Sequence, residues 1–136
     1  MAKVDIDNLR MRDVESHYTR YANSKLCNVL WTKALAKRLH AAGVTVNCVH
    51  PGLVKTNIFQ RLGNVSRAIW LMLIGLFFKS PVEGAQTCIH LCVAPELENA
   101  TGDYYSECKK QCLSNRADDD EFAEAVWRET LKIISD

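Results

Sequence analysis

The hydrophobic and polar positions in the first third of the chain predict a helix followed by a strand. From Thr19 to His40, apolar residues recur at helical spacing (Leu26, Val29, Leu30, Leu35, Leu39), and basic residues lie on the other side. Gly43 is expected to end this helix. Residues 44–49 (VTVNCV) are rich in β-branched side chains and lie between a glycine and Pro51, which predicts a short buried strand. Residues 1–18 are polar and aperiodic and predict a leading loop.

The rest of the chain shows one long apolar run and two further helical segments. Residues 68–78 (AIWLMLIGLFF) are too short to cross a bilayer, which needs about 20 residues. Two interpretations of this run are equally favoured. It is either a membrane-surface helix or lipid-substrate lid, or an ordinary buried helix. Ser80 to Glu83 combine a capping box with proline at the first helical position, which predicts a helix to about Val93. Residues 101–105 (TGDYY) predict a turn and a short edge strand. A last helix is expected from Asp118–Asp120, with an apolar stripe formed by Phe122, Val126, Trp127, Leu131, Ile133 and Ile134.

Composition and charge narrow the functional classes. A helix, a glycine turn and a buried strand form an α/β unit, and 136 residues with 48% apolar content allow one ordinary globular domain. The net charge of +1, with basic residues scattered along the chain, argues against nucleic-acid binding. Met1 is followed by polar residues rather than a signal-peptide core, so no signal peptide or membrane span is predicted. The six cysteines are expected to be free thiols, and their two C-x-x-x-C pairs (88/92 and 108/112) do not favour a metal site.

The residues with clear chemical potential are Tyr21 and Lys25, which begin the first predicted helix. A spacing of four places both side chains on one helix face. A free tyrosine holds its proton until about pH 10, and a nearby ammonium stabilises the phenolate. Such a pair can give a proton to a carbonyl that receives hydride, or take one from an alcohol that loses it. Tyr105 and Lys109 share this spacing but begin no amphipathic helix, and we interpret that match as chance.

The order of motifs resembles the short-chain dehydrogenase/reductase family. Y-x-[AS]-[SN]-K is followed by an amphipathic helix, a strand reading V-x-V-N-x-V-H-P-G (residues 44–52) and V-x-T. Residues 24–28 (SKLCN), the H-P-G and the later segments P-x-E-G-A-Q-T and T-G-x-Y-Y resemble the retinol dehydrogenase branch. The resemblance covers the chain from Tyr18 onward.

The resemblance implies a role for each matching residue. Tyr21 would be the catalytic acid/base, and Lys25 would stabilise its phenolate and bind the nicotinamide ribose. In the loop that follows the strand, Pro51, Gly52 and Val54 would line the nicotinamide. Thr56 would contact the carboxamide or the phosphates. The implied cofactor is NADP(H), with NAD(H) as the alternative, and no metal.

The glycine-rich turn, the N-A-G motif and the catalytic serine of the family are absent from the 136 residues. The expected fold is therefore the carboxyl-terminal part of a Rossmann-like, doubly wound parallel sheet, without the glycine-rich cofactor-binding half. One partial domain is expected over 1–136, divided into 1–18, 19–56 (tyrosine helix, strand and Pro-Gly loop), 57–80 (substrate loop) and 81–136.

Two functions follow from the resemblance as expectations. The first is hydride transfer between a nicotinamide and a retinoid or lipid alcohol or aldehyde, with this chain alone inactive. The second is a non-catalytic product that binds a full-length relative through the tyrosine helix as a homo- or heterodimer. The expected location is the endoplasmic reticulum membrane, with surface contact through 68–78, or the cytoplasm.

Overall fold

The computed structural model describes residues 4–55 and 78–135, which form two compact units. The first unit comprises Met1–Cys48, Glu98–Tyr104 and Gln111–Asp136, and the second comprises Val49–Leu97 and Tyr105–Lys110. The described elements, in chain order, are α1 (His17–Leu39), β1 (Cys48–His50), α2 (Pro81–Val93), β2 (Tyr104–Ser106), β3 (Lys109–Lys110) and α3 (Asp120–Ser135), with 3-10 turns at Ile6–Asn8, His40–Ala42 and Pro95–Leu97. The fold is α/β, as predicted.

Helix α1 begins two residues before its predicted start. The Oγ of Ser16 accepts a hydrogen bond from the N–H of Thr19 at 3.4 Å, which caps the helix amino terminus. After Leu39 the chain passes through one 3-10 turn into Gly43, whose φ of 68° is the left-handed conformation that glycine adopts without steric cost. The prediction that Gly43 ends this helical segment is confirmed.

The core of the first unit is the packing of α1 against α3. Leu30 and Ala34 of α1 and Ala123 and Val126 of α3 are buried together, with Val4 of the leading segment closing the cluster. Removing these side chains from water is the main force that holds the two helices together.

Aromatic and charged side chains extend this packing at the edge of the core. The rings of Trp31 and Trp127 stack with centroids 4.6 Å apart. Arg38 lies over the Trp127 ring and binds both carboxylate oxygens of Glu124, at 2.9 and 2.6 Å. A two-pronged guanidinium–carboxylate pair fixes both distance and orientation, so it aligns the two helices.

The strand predicted at 44–49 is shorter, shifted and less buried than expected. Strand β1 covers Cys48–His50 and is at most half-buried, and Val44 is exposed. The physical reason is that side-chain hydrogen bonds replace part of a regular ladder between residues 46–47 and residues 100–103. The Val46 N–H bonds the Thr101 hydroxyl, while the Asn47 amide donates to the Ala100 carbonyl and accepts from the Asp103 N–H.

The three described strands form one sheet in the order β1-β2-β3. The segments leading into β1 and β2 advance in the same direction, since Val46 accepts from Gly102 and Cys48 donates to Asp103, both at 2.8 Å. β2 and β3 are antiparallel, with Tyr105 opposite Lys110 and Ser106 opposite Lys109. This small sheet is consistent with an incomplete Rossmann-like fold.

Helix α2 confirms the predicted capping box. The Ser80 Oγ accepts from the Glu83 N–H at 3.2 Å, and the Glu83 carboxylate accepts from the Ser80 N–H at 2.7 Å. The hydrogen bonds from Ser80 hold the pKa of Glu83 below its usual value, with the cations of Lys79 and Lys55 adding to the effect. The helix ends at Val93, as expected.

Helix α3 begins as predicted, but its apolar stripe is only partly buried. Asp119 accepts from the Phe122 N–H at 3.0 Å at the start of the helix. Val126 is buried, whereas Leu131 and Ile134 are exposed. The buried side chains lie in the first half of α3, where it meets α1.

All six cysteines are thiols, and Cys88 and Cys92 are exposed rather than on a buried apolar face. Within residues 4–55 and 78–135, no helix is long and apolar enough to cross a bilayer.

Candidate functional site

Tyr21 and Lys25 lie on one exposed face of α1, in the first unit. The Tyr21 side chain is 62% exposed, and the Nζ of Lys25 lies 5.2 Å from the centroid of its ring. This distance is typical of a cation–π contact. The structure therefore brings the two residues together, with the ammonium beside a phenol that solvent or a ligand can reach.

The geometry of this pair comes from the helix itself. The two residues are one helical turn apart, so their side chains are neighbours whatever α1 packs against. The Ser24 hydroxyl between them donates to the Tyr21 carbonyl at 2.7 Å and thus faces the backbone. The opposite side of α1 is anchored by buried residues, among them Asn23, which is 3% exposed, and Leu30. The sequence analysis did not single out Asn23.

Pro51, Gly52 and Val54 follow β1 in the second unit. Pro51 is exposed, and Gly52 has a φ of 81°, a left-handed conformation that favours glycine. Val54 forms a parallel bridge with Lys79: the Lys79 N–H donates to the Leu53 carbonyl at 2.8 Å, and the Lys55 N–H donates to the Lys79 carbonyl at 2.9 Å. We name residues 51–55 the Pro-Gly segment. Its backbone is paired with that of Lys79, a residue distant in sequence.

Lys79 and Gly84 also shape the Pro-Gly segment, and neither role was predicted from the sequence. A Cβ at Gly52 would lie 3.4 Å from both Cδ and Cε of Lys79, so the lysine stem covers one face of the glycine. A Cβ at Gly84, inside α2, would lie only 2.6 Å from Cγ2 of Val54. Glycine is unfavourable inside a helix by about 1 kcal/mol, so its presence one position after the capping box was the signal of a close approach.

The second tyrosine–lysine match has a different geometry. Tyr105 is a buried residue of β2, and Lys109 is in β3, where it lies opposite Ser106. The two side chains therefore share no helix face. The spacing alone did not distinguish this match from Tyr21 and Lys25.

The remaining predicted positions are outside the described residues. Thr56 and residues 57–77 of the substrate-loop region, including most of the apolar run 68–78, belong to this group. The tyrosine–lysine pair and the Pro-Gly segment belong to different units, and each is described within its own unit. Among the described residues, no three His, Cys, Asp or Glu side chains are grouped so that they could hold a metal ion.

The residues present fit the nicotinamide end of a dinucleotide. An exposed phenol paired with an ammonium suits a group that exchanges protons with substrate and hydrogen-bonds a ribose. Gly52 has no side chain, but the Lys79 stem fills the space where its Cβ would stand, so a flat ring could approach this backbone only from another side.

Comparisons with known proteins all indicate one family. A model of short-chain dehydrogenases/reductases, described as enoyl-(acyl carrier protein) reductase, matches residues 2–94. Human retinol dehydrogenase 14 is 37% identical over 126 residues, which is 91% of this chain and 38% of that protein. Mouse retinol dehydrogenase 12 is 41% identical over 114 residues, covering 84% of this chain and 35% of that protein. The chain thus spans less than half the length of these curated relatives.

Proposed function

This chain belongs to the short-chain dehydrogenase/reductase family, and we propose that it carries the proton-transfer residues of an oxidoreductase related to the retinol dehydrogenases. The substrate in this proposal is a retinoid or another lipid alcohol or aldehyde. The cofactor is NADP(H), with NAD(H) as the alternative. The substrate class is supported by the names of the relatives, and NADP(H) by the family resemblance alone.

The observation that carries the proposal is the pairing of Lys25 with an exposed Tyr21 on one turn of α1. The bound nicotinamide would supply the hydride chemistry. The Tyr21 hydroxyl would donate its proton to the carbonyl oxygen of an aldehyde during reduction, and the Tyr21 phenolate would accept the alcohol proton during oxidation. The Lys25 ammonium would stabilise the phenolate left when the proton has gone and would bind the ribose hydroxyls.

The Pro-Gly segment would provide the surface for the nicotinamide. Pro51, Gly52 and Val54 would line the ring, with backbone groups near its carboxamide, and Thr56 would contact the carboxamide or phosphates. The positive φ of Gly52 and the bridge that fixes Val54 support this assignment, because a fixed backbone can present hydrogen-bonding groups at constant positions.

A Tyr21→Phe variant tests the proposal, with Tyr18→Phe as the matched control on the same helix. Both tyrosines are exposed, so neither change should disturb the α1–α3 core. Because this chain alone is expected to be inactive, both variants are measured in a fusion that adds the glycine-rich half of a full-length relative and that oxidises NADPH in the presence of retinal. In this fusion the rate of NADPH oxidation should fall by about 10²- to 10⁴-fold in Tyr21→Phe, as expected for removal of a general acid, and should be unchanged in Tyr18→Phe. Equal activity in the two variants would refute the assignment of Tyr21.

A second function remains supported by the exposure of α1. Tyr18 is 78% exposed and Tyr21 is 62% exposed, and exposed tyrosines are enriched in protein interfaces. The chain would then be a non-catalytic product that binds a full-length relative as a homo- or heterodimer through α1. Two results together would favour this function. The chain should co-purify with a full-length retinol dehydrogenase even as the Tyr21→Phe variant, and it should not oxidise NADPH.

The family resemblance also supports a location at the endoplasmic reticulum membrane or in the cytoplasm. In the first case, the apolar run 68–78, flanked by Arg67 and Lys79, would contact the membrane surface.

A further inference from the structure

Lys79 contacts the Pro-Gly segment through both its backbone and its side chain. Its N–H and C=O bond the Leu53 carbonyl and the Lys55 N–H, so its main chain pairs on both sides of Val54. Its stem then crosses to Gly52, with Cδ and Cε each 3.4 Å from the place a Cβ would take. Lys79 therefore holds the segment through both its main chain and its side chain.

The direction of the Lys79 side chain is fixed by Glu107. The Nζ of Lys79 lies 2.5 Å from the Glu107 Oε1, and the lysine side chain is only 29% exposed. An unpaired lysine has many rotamers and loses considerable entropy when it is held over a glycine. The carboxylate offsets this cost and holds the stem across Gly52.

Glu107 is itself held in an uncommon turn. Glu107 and Cys108 have φ values of 53° and 57°, the left-handed pair that a two-residue hairpin needs, although neither is a glycine or an asparagine. The Cys108 N–H donates at 3.2 Å to the hydroxyl of Thr87, which is 3% exposed on α2. A buried threonine thus anchors the turn that presents Glu107.

We propose that Lys79 is a positioning residue for the cofactor-facing Pro-Gly segment, oriented by its ion pair with Glu107. This inference rests on the proposed function, because that function makes the segment the nicotinamide surface. Lys79 acts through Gly52 and Val54 and contacts no reacting atom. The Thr87-anchored turn makes the arrangement depend on α2 and the hairpin, both within the second unit.

The first test measures the segment without any cofactor, by amide hydrogen exchange of the full chain. Lys79→Met keeps much of the stem but removes the cation, and Glu107→Gln removes the opposite charge. Each should speed exchange of the Lys55 amide about two- to fivefold, the range expected for a partly exposed ion pair. Lys79→Arg keeps the pair and should restore wild-type exchange. The control is Lys132→Met, which breaks the ion pair with Glu129 on α3 and should leave the Lys55 amide unchanged.

The second test titrates the same variants with NADPH and follows the amide signals of Gly52 and Val54. The dissociation constant should rise about two- to fivefold in Lys79→Met and Glu107→Gln and should return to the wild-type value in Lys79→Arg. A wild-type chain without NADPH-dependent shifts at these amides would overturn the proposed cofactor contact, while the exchange experiment still decides the positioning role. The inference would be overturned if the Lys55 amide exchanged no faster in Lys79→Met and Glu107→Gln than in Lys132→Met.

Discussion

Substituting Gly84 by alanine should separate the packing of the Pro-Gly segment from the stability of α2 itself. Gly84 is in the second turn of α2, and a Cβ there would lie 2.6 Å from Cγ2 and 3.2 Å from Cγ1 of Val54. Contacts below 3 Å between carbon atoms are repulsive, so Val54 or the helix must move. Because Val54 is paired with Lys79 on its backbone, the movement should reach that bridge.

Two opposing contributions decide the sign of the effect. In an open helix, replacing glycine by alanine stabilises by about 1 kcal/mol. Inserting one carbon into a filled space costs about 1–3 kcal/mol. At Gly84 the two should sum to a destabilisation of about 0–2 kcal/mol. If Val54 is first reduced to alanine, Cγ1 and Cγ2 are removed and the same substitution should become stabilising by about 1 kcal/mol.

A double-mutant cycle with Gly84→Ala and Val54→Ala measures this reversal. The probes are the amides of Lys55 and Lys79, which bond across the bridge, and a tenfold change in exchange corresponds to about 1.4 kcal/mol. Val82→Ala is the control, since Val82 is 70% exposed on the same helix and should show no coupling to Val54. Stabilisation by Gly84→Ala in the presence of the wild-type Val54 would show that the close approach does not constrain the segment.

Two further predictions concern the ends and contacts of the helices. Because the hydrogen bond from Arg38 holds the pKa of Glu124 below its usual value, the pair should stabilise the α1–α3 packing fully above about pH 4.5 and lose that contribution as pH falls through the lowered folded-state pKa. The free energy of unfolding is measured with urea and tryptophan fluorescence at pH 6 and at pH 3. The change in this free energy between the two pH values should be smaller in Glu124→Gln than in the wild type. An equal change in both proteins would contradict the prediction. Ser80→Ala removes the cap of α2 and should destabilise the helix start by about 1 kcal/mol, seen as roughly fivefold faster exchange of the Glu83 amide, whereas unchanged exchange would mean that the capping box does not stabilise α2.

Local motifs were the part of this molecule that the sequence predicted well. The capping box at Ser80 and the pairing of Tyr21 with Lys25 involve residues three and four positions apart, so backbone geometry alone determines them. The strand at 44–49 was predicted less well. Its hydrogen bonds depend on Asn47 reaching residues more than fifty positions away, and hydrophobic pattern contains no information about that pairing.

The positioning of the Pro-Gly segment could not be predicted for the same reason. Lys79 follows the apolar run 68–78 and Gly84 falls in the P-x-E-G-A-Q-T motif, and neither pattern indicates that the two residues contact Gly52 and Val54. Glycine inside a helix was a usable signal. It lowers the stability of the helix, so its presence there indicates that a neighbouring group leaves no room for a side chain. The identity of that neighbour required the structure.

The tyrosine–lysine pair and the Pro-Gly segment should therefore respond differently to perturbation. The relation between Tyr21 and Lys25 is set within one helical turn and should persist wherever α1 stays folded. The Pro-Gly segment depends on contacts with α2 and with the Glu107 turn, which are distant in sequence and belong to the second unit. Substitutions in the second unit that leave α1 intact should thus change cofactor affinity before they change proton transfer. Under the proposed function this predicts a higher KM for NADPH with little change in kcat for Glu107→Gln. Lys25→Met should instead lower kcat and also raise the KM for NADPH, because Lys25 would both stabilise the phenolate and bind the ribose.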